Sequence, residues 1–343
     1  MKTYLKRIER TFDYTDKSQY DYVLNQSERS ENFSTILFEL FKKDLKQEDF
    51  AYYPNTKNFK EKICEFYNVK TENLFLSDGS DVGIKSIFET FTTCGKVITS
   101  EPSFPMYSVY CQLYKCQYFG INYEKDYTLS IDNLLMFDDE DTNLFILANP
   151  NSPIGDYKTF EEIKPLLDTG KMVLIDEAYI EFTDNESMIQ YIDEYPNLLV
   201  TRTFSKGFGA AGCRVGMTFG HKDTIELLSK FRQMYEITGV SMKYCEFLLN
   251  NYNLVETYIK KVKEEKQKVL TLMKKFSILD SESNWIHFNT HDDNLKTKQI
   301  LDKHKVLVKY CKLPHDTKTS WCRMTIQPDM TSRPFFRELV NEQ

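Results

Sequence analysis

Between Asn73 and Gly220, short apolar runs alternate with longer stretches of helical period. The runs at Lys96 to Thr99, Gln117 to Asn122, Leu144 to Ala148, Met172 to Ile175 and Leu198 to Val200 are too short for helices and predict buried strands. Asn73 to Leu76 is a further short apolar approach to a helix. Val82 to Phe91, Phe104 to Tyr114, Ile131 to Phe137, Phe160 to Leu167 and Ile189 to Tyr195 lie between the runs and predict helices. Strands that alternate with helices imply βαβ units around a mainly parallel sheet, an α/β fold. After Asp223 the pattern changes. Thr224 to Phe231 and Val240 to Leu249 read as helices, followed by a long lysine-rich amphipathic helix, Leu254 to Phe276. Strands at Trp285 to Phe288, Val306 to Tyr310 and Cys322 to Ile326, with helices at Leu295 to His304 and Pro334 to Val340, then predict a smaller α+β unit. Ile36 to Leu45 has an amphipathic helical pattern, and residues 1–34 are polar and tyrosine-rich without a period. The expected organisation is an N-terminal arm and helix over 1–44, a large domain over 45–250 and a small C-terminal domain over 251–343.

Three of the apolar runs end in polar clusters: Asn149-Pro150-Asn151-Ser152-Pro153-Ile154-Gly155 after Ala148, Asp176-Glu177-Ala178-Tyr179 after Ile175, and the turn holding Thr203, Ser205 and Lys206 after Val200. In an open parallel α/β sheet the carboxyl edge is where ligands sit, so these clusters converge. A lysine between hydroxyls and glycines, with Arg214 downstream, suits an amine held as a Schiff base beside a clamped anion. An exposed lysine in a flexible loop gives the same window, and the other two clusters break the tie. An aspartate that ends an apolar strand is costly to bury as a charge unless a cation meets it. Helix capping by Asp176 explains that cluster alone. Ser77-Asp78-Gly79-Ser80-Asp81 opens the helix at Val82, where free N–H groups and the helix dipole offer a phosphate seat at Gly79, Ser80 and Asp81. Simple N-capping by Ser80 or Asp81 has the same sequence signature.

Composition narrows the partners. The formal charge of −7 comes from 44 basic and 51 acidic residues spread along the chain, so no basic stripe points to nucleic acid. Glutamates interleave the lysines of Lys260 to Lys268, which reads as a solvated helix face. No apolar run approaches the ~20 residues of a membrane helix, and Met1 to Arg10 lacks a signal-peptide core. A cytoplasmic protein with no membrane partner is the expectation. The eight cysteines lack CxxC spacing, which predicts reduced packed thiols. Of the histidines only His287 and His291 lie close together, and no metal site is expected.

Taken in order over residues 50 to 330, these windows resemble the fold-type I, class I/II aminotransferases that use pyridoxal 5'-phosphate. The branch most resembled is histidinol-phosphate aminotransferase, with its relative threonine-phosphate decarboxylase. The resemblance implies a seven-stranded sheet sandwiched by helices, with Arg214 to Gly220 as an antiparallel member, and a homodimer with shared active sites. It assigns Lys206 as the covalent anchor and base, Asp176 to the pyridine nitrogen and Tyr179 to the phenolic oxygen. Phe104 becomes the aromatic that stacks on the ring. Gly79, Ser80, Asp81, Thr203, Ser205 and Arg214 fall around the cofactor, and Tyr53, in Tyr52-Tyr53-Pro54, reaches the phosphate of the other subunit. Arg323, in Arg323-Met324-Thr325, binds a substrate carboxylate.

The chain departs from the family pattern at several points. Ser152 stands where relatives usually have an asparagine before the proline; either Asn151 or a water substitutes for it, or carboxylate recognition is weaker here, which suits a substrate without a carboxylate. Lys309 stands where an arginine commonly meets the substrate phosphate, and it holds a phosphate as a point charge without the guanidinium fork. Asn25-Gln26-Ser27-Glu28 replaces an Asn-Glu-Asn-Pro-like element of the arm that covers the site. The implied activity is amine transfer from glutamate or a similar amino acid to a small phosphorylated partner. That partner is histidinol phosphate or a three-carbon phosphate such as dihydroxyacetone phosphate. Decarboxylation of serine or threonine phosphate is the alternative on the same scaffold.

Overall fold

The computed structural model describes residues 8, 15–29, 35–289 and 294–341; His291 lies outside the described residues. The strands in chain order are β1 (Tyr22–Val23), β2 (Leu74–Ser77), β3 (Lys96–Glu101), β4 (Gln117–Asn122), β5 (Thr142–Ala148), β6 (Met172–Asp176) and β7 (Leu198–Thr203). They continue with β8 (Gly216–Gly220), β9 (Ser277–Leu279), β10 (Trp285–Asn289), β11 (Val306–Leu307), β12 (Lys309–Leu313) and β13 (Asp316–Thr325).

The large sheet has seven strands in the order β2-β8-β7-β6-β5-β3-β4. Strands β3 to β7 pair in parallel, and β8 runs antiparallel to both β7 and β2. The antiparallel strand begins two residues later than the resemblance implied. Arg214 has φ 51, a left-handed turn conformation, and this frees its side chain from the ladder. Alternation along the buried strands divides the core. Ile98, Phe145, Val173 and Leu198 face one apolar cluster, and Val97, Leu144, Leu174 and Leu199 face the other. Helices Lys57–Tyr67 and Phe160–Asp168 cover the first face, and Ser80–Phe91 and Met106–Tyr114 cover the second. Each fully buried Leu, Val or Ile contributes about 1.5–3 kcal/mol, so this double covering holds the sheet's carboxyl edge in place.

A second sheet, β12-β13-β10-β9, is antiparallel throughout. Its register sets Leu279, His287, Arg323 and Lys309 in one lateral row. The long helix Tyr252–Leu272 leads into it. Two expectations need correction. The segment expected as a helix from Ile189 to Tyr195 is only a 3-10 turn at Met188–Tyr191. The strand expected from Val306 to Tyr310 divides, with β11 pairing with β1 of the arm and β12 joining the small sheet. All eight cysteines are free thiols. Among the described residues no helix is long and apolar enough to cross a membrane, and no group of three metal-ligating side chains forms.

Candidate active site

The carboxyl ends of β3, β5, β6 and β7 open into a cavity of about 910 Å³, closed on its far side by β12, β13 and the arm. Its floor carries Asp176. This carboxylate is 6% exposed and accepts from Tyr107 Oη at 2.9 Å and Thr201 Oγ1 at 2.9 Å. Burial pushes its pKa up, and the Tyr107, Thr201 and Ala178 N–H donors oppose that rise only in part. No cation pairs with Asp176 among the described residues, so a positively charged ligand group is what its environment lacks.

Lys206 and Tyr179 share the cavity wall, with the Lys206 Nζ 5.2 Å from the Tyr179 ring centroid. Burial pushes the Tyr179 phenol up, but the charges of Lys206 and Arg323 outweigh it and the net direction is down. Trp285 packs edge-on against Tyr179 at 4.6 Å and donates its indole N–H to the Pro153 carbonyl at 3.0 Å. Phe104 borders the cavity and meets Tyr107 edge-on at 5.5 Å.

One end of the cavity is built for an anion. Helix Ser80–Phe91 starts behind Gly79, whose φ of 78 favours glycine, and its first turn has no side-chain cap. Capping by Ser80 or Asp81 is therefore not what the structure shows; the Asp81 carboxylate instead accepts from Tyr110 Oη at 2.6 Å. The Arg214 guanidinium lies against Gly79, so that a Cβ there would stand 2.9 Å from Arg214 Cζ. Ser205 and Thr203 complete this end, with the Ser205 N–H donating to Thr203 Oγ1 at 3.1 Å. N–H groups without a side-chain cap, a guanidinium and two hydroxyls converge here, a set of donors that suits a phosphate and that a side chain at 79 would obstruct. The residues present therefore fit pyridoxal phosphate at both ends, with Asp176 available to the ring nitrogen.

The opposite wall is cationic. Arg323, 8% exposed, donates from Nη1 to Ser152 Oγ at 3.4 Å and from Nη2 to the Asn25 carbonyl at 3.2 Å. No acidic side chain pairs with it among the described residues. Lys309, its neighbour in register, is exposed on the same wall. The arm crosses between the two walls. The Gln26 carbonyl accepts from Lys206 Nζ at 2.7 Å, Thr325 Oγ1 donates to the Leu24 carbonyl at 2.9 Å, and Ser27 is buried with φ 53.

Of the residues singled out in the sequence, Ser80, Asp81, Phe104, Ser152, Asp176 and Tyr179 line this cavity, as do Thr203, Ser205, Lys206, Arg214, Lys309 and Arg323. Gly79 lies directly behind Arg214. Asn151 is a correction. It is 1% exposed, and its amide turns inward to Ser100 Oγ at 3.0 Å and Ser103 Oγ at 3.4 Å. Its Oδ1 accepts from the Ile154 N–H at 3.1 Å, so it shapes the loop instead of substituting for an asparagine at 152. Tyr53 lies outside the cavity. It is 76% exposed, stacked on Tyr235 at 4.0 Å, and borders an adjacent hollow of about 750 Å³ that shares Gly212 and Arg214 with the cavity. Tyr107, Thr201 and Trp285 were not foreseen. Tyr107 follows the Phe104 turn by three residues, a helical spacing that was a readable signal for the face under the site.

Both the sheet order and the cavity at its carboxyl edge define the fold-type I architecture. The structure superposes on histidinol-phosphate aminotransferase from Sinorhizobium meliloti in complex with pyridoxal-5'-phosphate with a TM-score of 0.86 at 17% identity, covering 99% of this chain and 96% of that one. L-threonine-O-3-phosphate decarboxylase from Porphyromonas gingivalis matches with a TM-score of 0.79 at 18% identity, covering 93% and 98%. The chain belongs to the aminotransferase class I and II family, whose model matches residues 28–335. Among curated relatives, histidinol-phosphate aminotransferase of Pyrococcus furiosus is 31% identical over 272 residues, 79% of each chain. The Bacteroides fragilis protein of the same name is 33% identical over 216 residues, and that match spans 62% of this chain and 63% of its relative's length.

Proposed function

We propose that this chain is a pyridoxal-phosphate-dependent aminotransferase that acts on a small phosphorylated amine or ketone, with glutamate or a similar amino acid as donor. One observation carries the reading. Lys206, Asp176 and an uncapped helix N-terminus beside Arg214 line a single cavity with Arg323, and among the described residues neither Asp176 nor Arg323 has a partner of opposite charge.

When bound, pyridoxal phosphate supplies a carbonyl for the amine and a ring that withdraws electrons. Its phosphate would be held by Arg214, Ser205, Thr203 and the N–H groups after Gly79. Asp176 would accept from the ring nitrogen, remaining ionised there because a cation then offsets its burial. Tyr179, with its lowered pKa, would hydrogen-bond the phenolic oxygen, and Phe104 would cover one ring face and exclude water. The Lys206 Nζ is the base that takes and returns the proton at the substrate's α-carbon. Arg323 binds a carboxylate and Lys309 a phosphate as a point charge. Residues 45–250 and 251–343 act as two domains about the helix Tyr252–Leu272, with 1–44 as an arm. The exposed aromatics Phe50, Tyr52 and Tyr53, 69%, 71% and 76% exposed, border the hollow beside Arg214 and support a homodimer that shares its sites.

The test is a half-reaction screen of the cofactor-loaded chain. Glutamate should bleach the cofactor's visible absorbance and release 2-oxoglutarate, and a phosphorylated ketone should restore it. Carbon dioxide from phosphothreonine or phosphoserine without any keto acid would instead identify a decarboxylase.

A further inference from the structure

The chemistry above leaves one polar corner of the cavity unused. Glu101 ends β3, and Tyr118 and Gly120 lie on its parallel neighbour β4, in register with Val97 and Thr99. Parallel partners share a sheet face, so Tyr118, Gly120 and Glu101 stand on one side. Gly120 has no side chain to obstruct the tyrosine ring, which lies along the strand and donates its hydroxyl to Glu101 Oε2. A Cβ at 120 would stand 2.9 Å from Glu101 Cβ and 3.1 Å from Tyr118 Cε1, so even alanine would displace this pair. Burial and then Glu101 push the Tyr118 phenol up, which keeps it a donor at neutral pH.

Among the described residues four acids line the cavity, and the reading above accounts for three of them. Glu28 pairs with Lys17, Asp81 sits in the first turn of a helix, and Asp176 is placed for the ring nitrogen. Glu101 forms no ion pair among the described residues, and one hydroxyl is its only hydrogen-bond partner there. The small-sheet side of the cavity carries the cations Arg323 and Lys309. The cavity is therefore bipolar, with two cations on the small-sheet side and an uncompensated carboxylate at the end of β3.

We propose that Glu101, held by Tyr118 over Gly120, is a specificity-determining residue that binds a protonated or N–H-donating nitrogen on one arm of the substrate, while Arg323 and Lys309 hold the anion on the other. This rests on the aminotransferase reading of the same site. It selects phosphorylated amines whose second arm carries a nitrogen base over those whose second arm ends in a hydroxyl. It also turns the distal carboxylate of an amino-acid donor toward the cationic wall, because Glu101 repels it.

The test compares histidinol phosphate, with an imidazole on its second arm, and serinol phosphate, with a hydroxyl there. Binding of both to the cofactor-loaded full chain is measured by calorimetry for wild type, Glu101→Gln and Gly120→Ala, with kcat and KM in parallel. Glu101→Gln should lower the preference for histidinol phosphate over serinol phosphate by about 10- to 100-fold, mainly through Kd and KM, as expected for a hydrogen bond to a charged group. Gly120→Ala should move the ratio the same way with the charge retained. A ratio that changes less than about threefold in Glu101→Gln, or a wild type that favours serinol phosphate, overturns the proposal. Keto acid release from glutamate by wild type tests the aminotransferase reading separately, and the Kd ratio stands whatever its outcome.

Discussion

His287 is the clearest place where the structure predicts a response to pH. It is fully buried on β10, beside Arg323 in the register of the small sheet, and among the described residues neither ring nitrogen has a hydrogen-bond partner. Burial, then the Arg323 charge, push its pKa down from 6.5 to about 3. The folded chain therefore keeps this ring neutral while the unfolded chain protonates it below 6.5. A depressed histidine costs stability as pH falls, at about 1.4 kcal/mol per pH unit below the unfolded value. About 2 kcal/mol is lost by pH 5, and the loss levels off only near the folded value of about 3. Other groups titrate in the same window, so the effect is read as a difference. His287→Phe keeps a ring of similar shape, breaks no hydrogen bond and cannot titrate. Both tryptophans, Trp285 and Trp321, lie in this sheet, so their fluorescence in urea follows its unfolding directly. Between pH 7.5 and pH 5 the wild type should lose about 2 kcal/mol more than His287→Phe. Matching losses, within about 0.5 kcal/mol, would mean that the folded sheet accepts the imidazolium and that the burial argument is wrong.

Further outcomes follow from the same geometry. Gly216→Ala places a Cβ 2.6 Å from the Gly79 carbonyl oxygen, and only movement of the helix start relieves it. Titration with pyridoxal phosphate should show at least tenfold weaker binding and a stability loss of about 1–3 kcal/mol; wild-type affinity would refute the phosphate seat. Tyr107→Phe removes one of the donors to Asp176, so its pKa rises further. Because the carboxylate works only when ionised, the acid limb of kcat should move to higher pH and kcat should fall about 10- to 100-fold; an unmoved limb would exclude Tyr107 as its support. Sedimentation should find a dimer, and Tyr53→Ala should weaken cofactor binding several-fold. A fully active monomer would end the shared-site proposal.

Much of the large sheet was legible because its strands are buried on both faces and read as unbroken apolar runs, as Leu144 to Ala148 and Met172 to Ile175 do. The helix Lys57–Tyr67 was missed. It buries only Phe59, Ile63 and Cys64, and lysines and glutamates fill the positions between them. Strand β9 was missed for a similar reason, since Ser277–Leu279 is short and only half-buried at the sheet edge. Asp176 and Lys206 stood out because each lies just beyond an apolar run, whereas Arg323 and Lys309 lie within their strands and were assigned by the resemblance. Tyr107 and Thr201 did not stand out, since an aromatic in a helix and a threonine in a strand look like ordinary core until the aspartate between them is in view. Asn151 was misjudged because sequence adjacency to Ser152 says nothing about which side of a loop a side chain takes.

The arm touches Lys206 and Arg323 through carbonyls that every amino acid possesses. Side-chain identity at Asn25 and Gln26 is thus decoupled from those two contacts so long as the chain keeps its path. What this segment cannot tolerate is a change in length: one residue inserted or removed between Leu24, anchored to Thr325, and Ser27 would bring the wrong carbonyl to each cation.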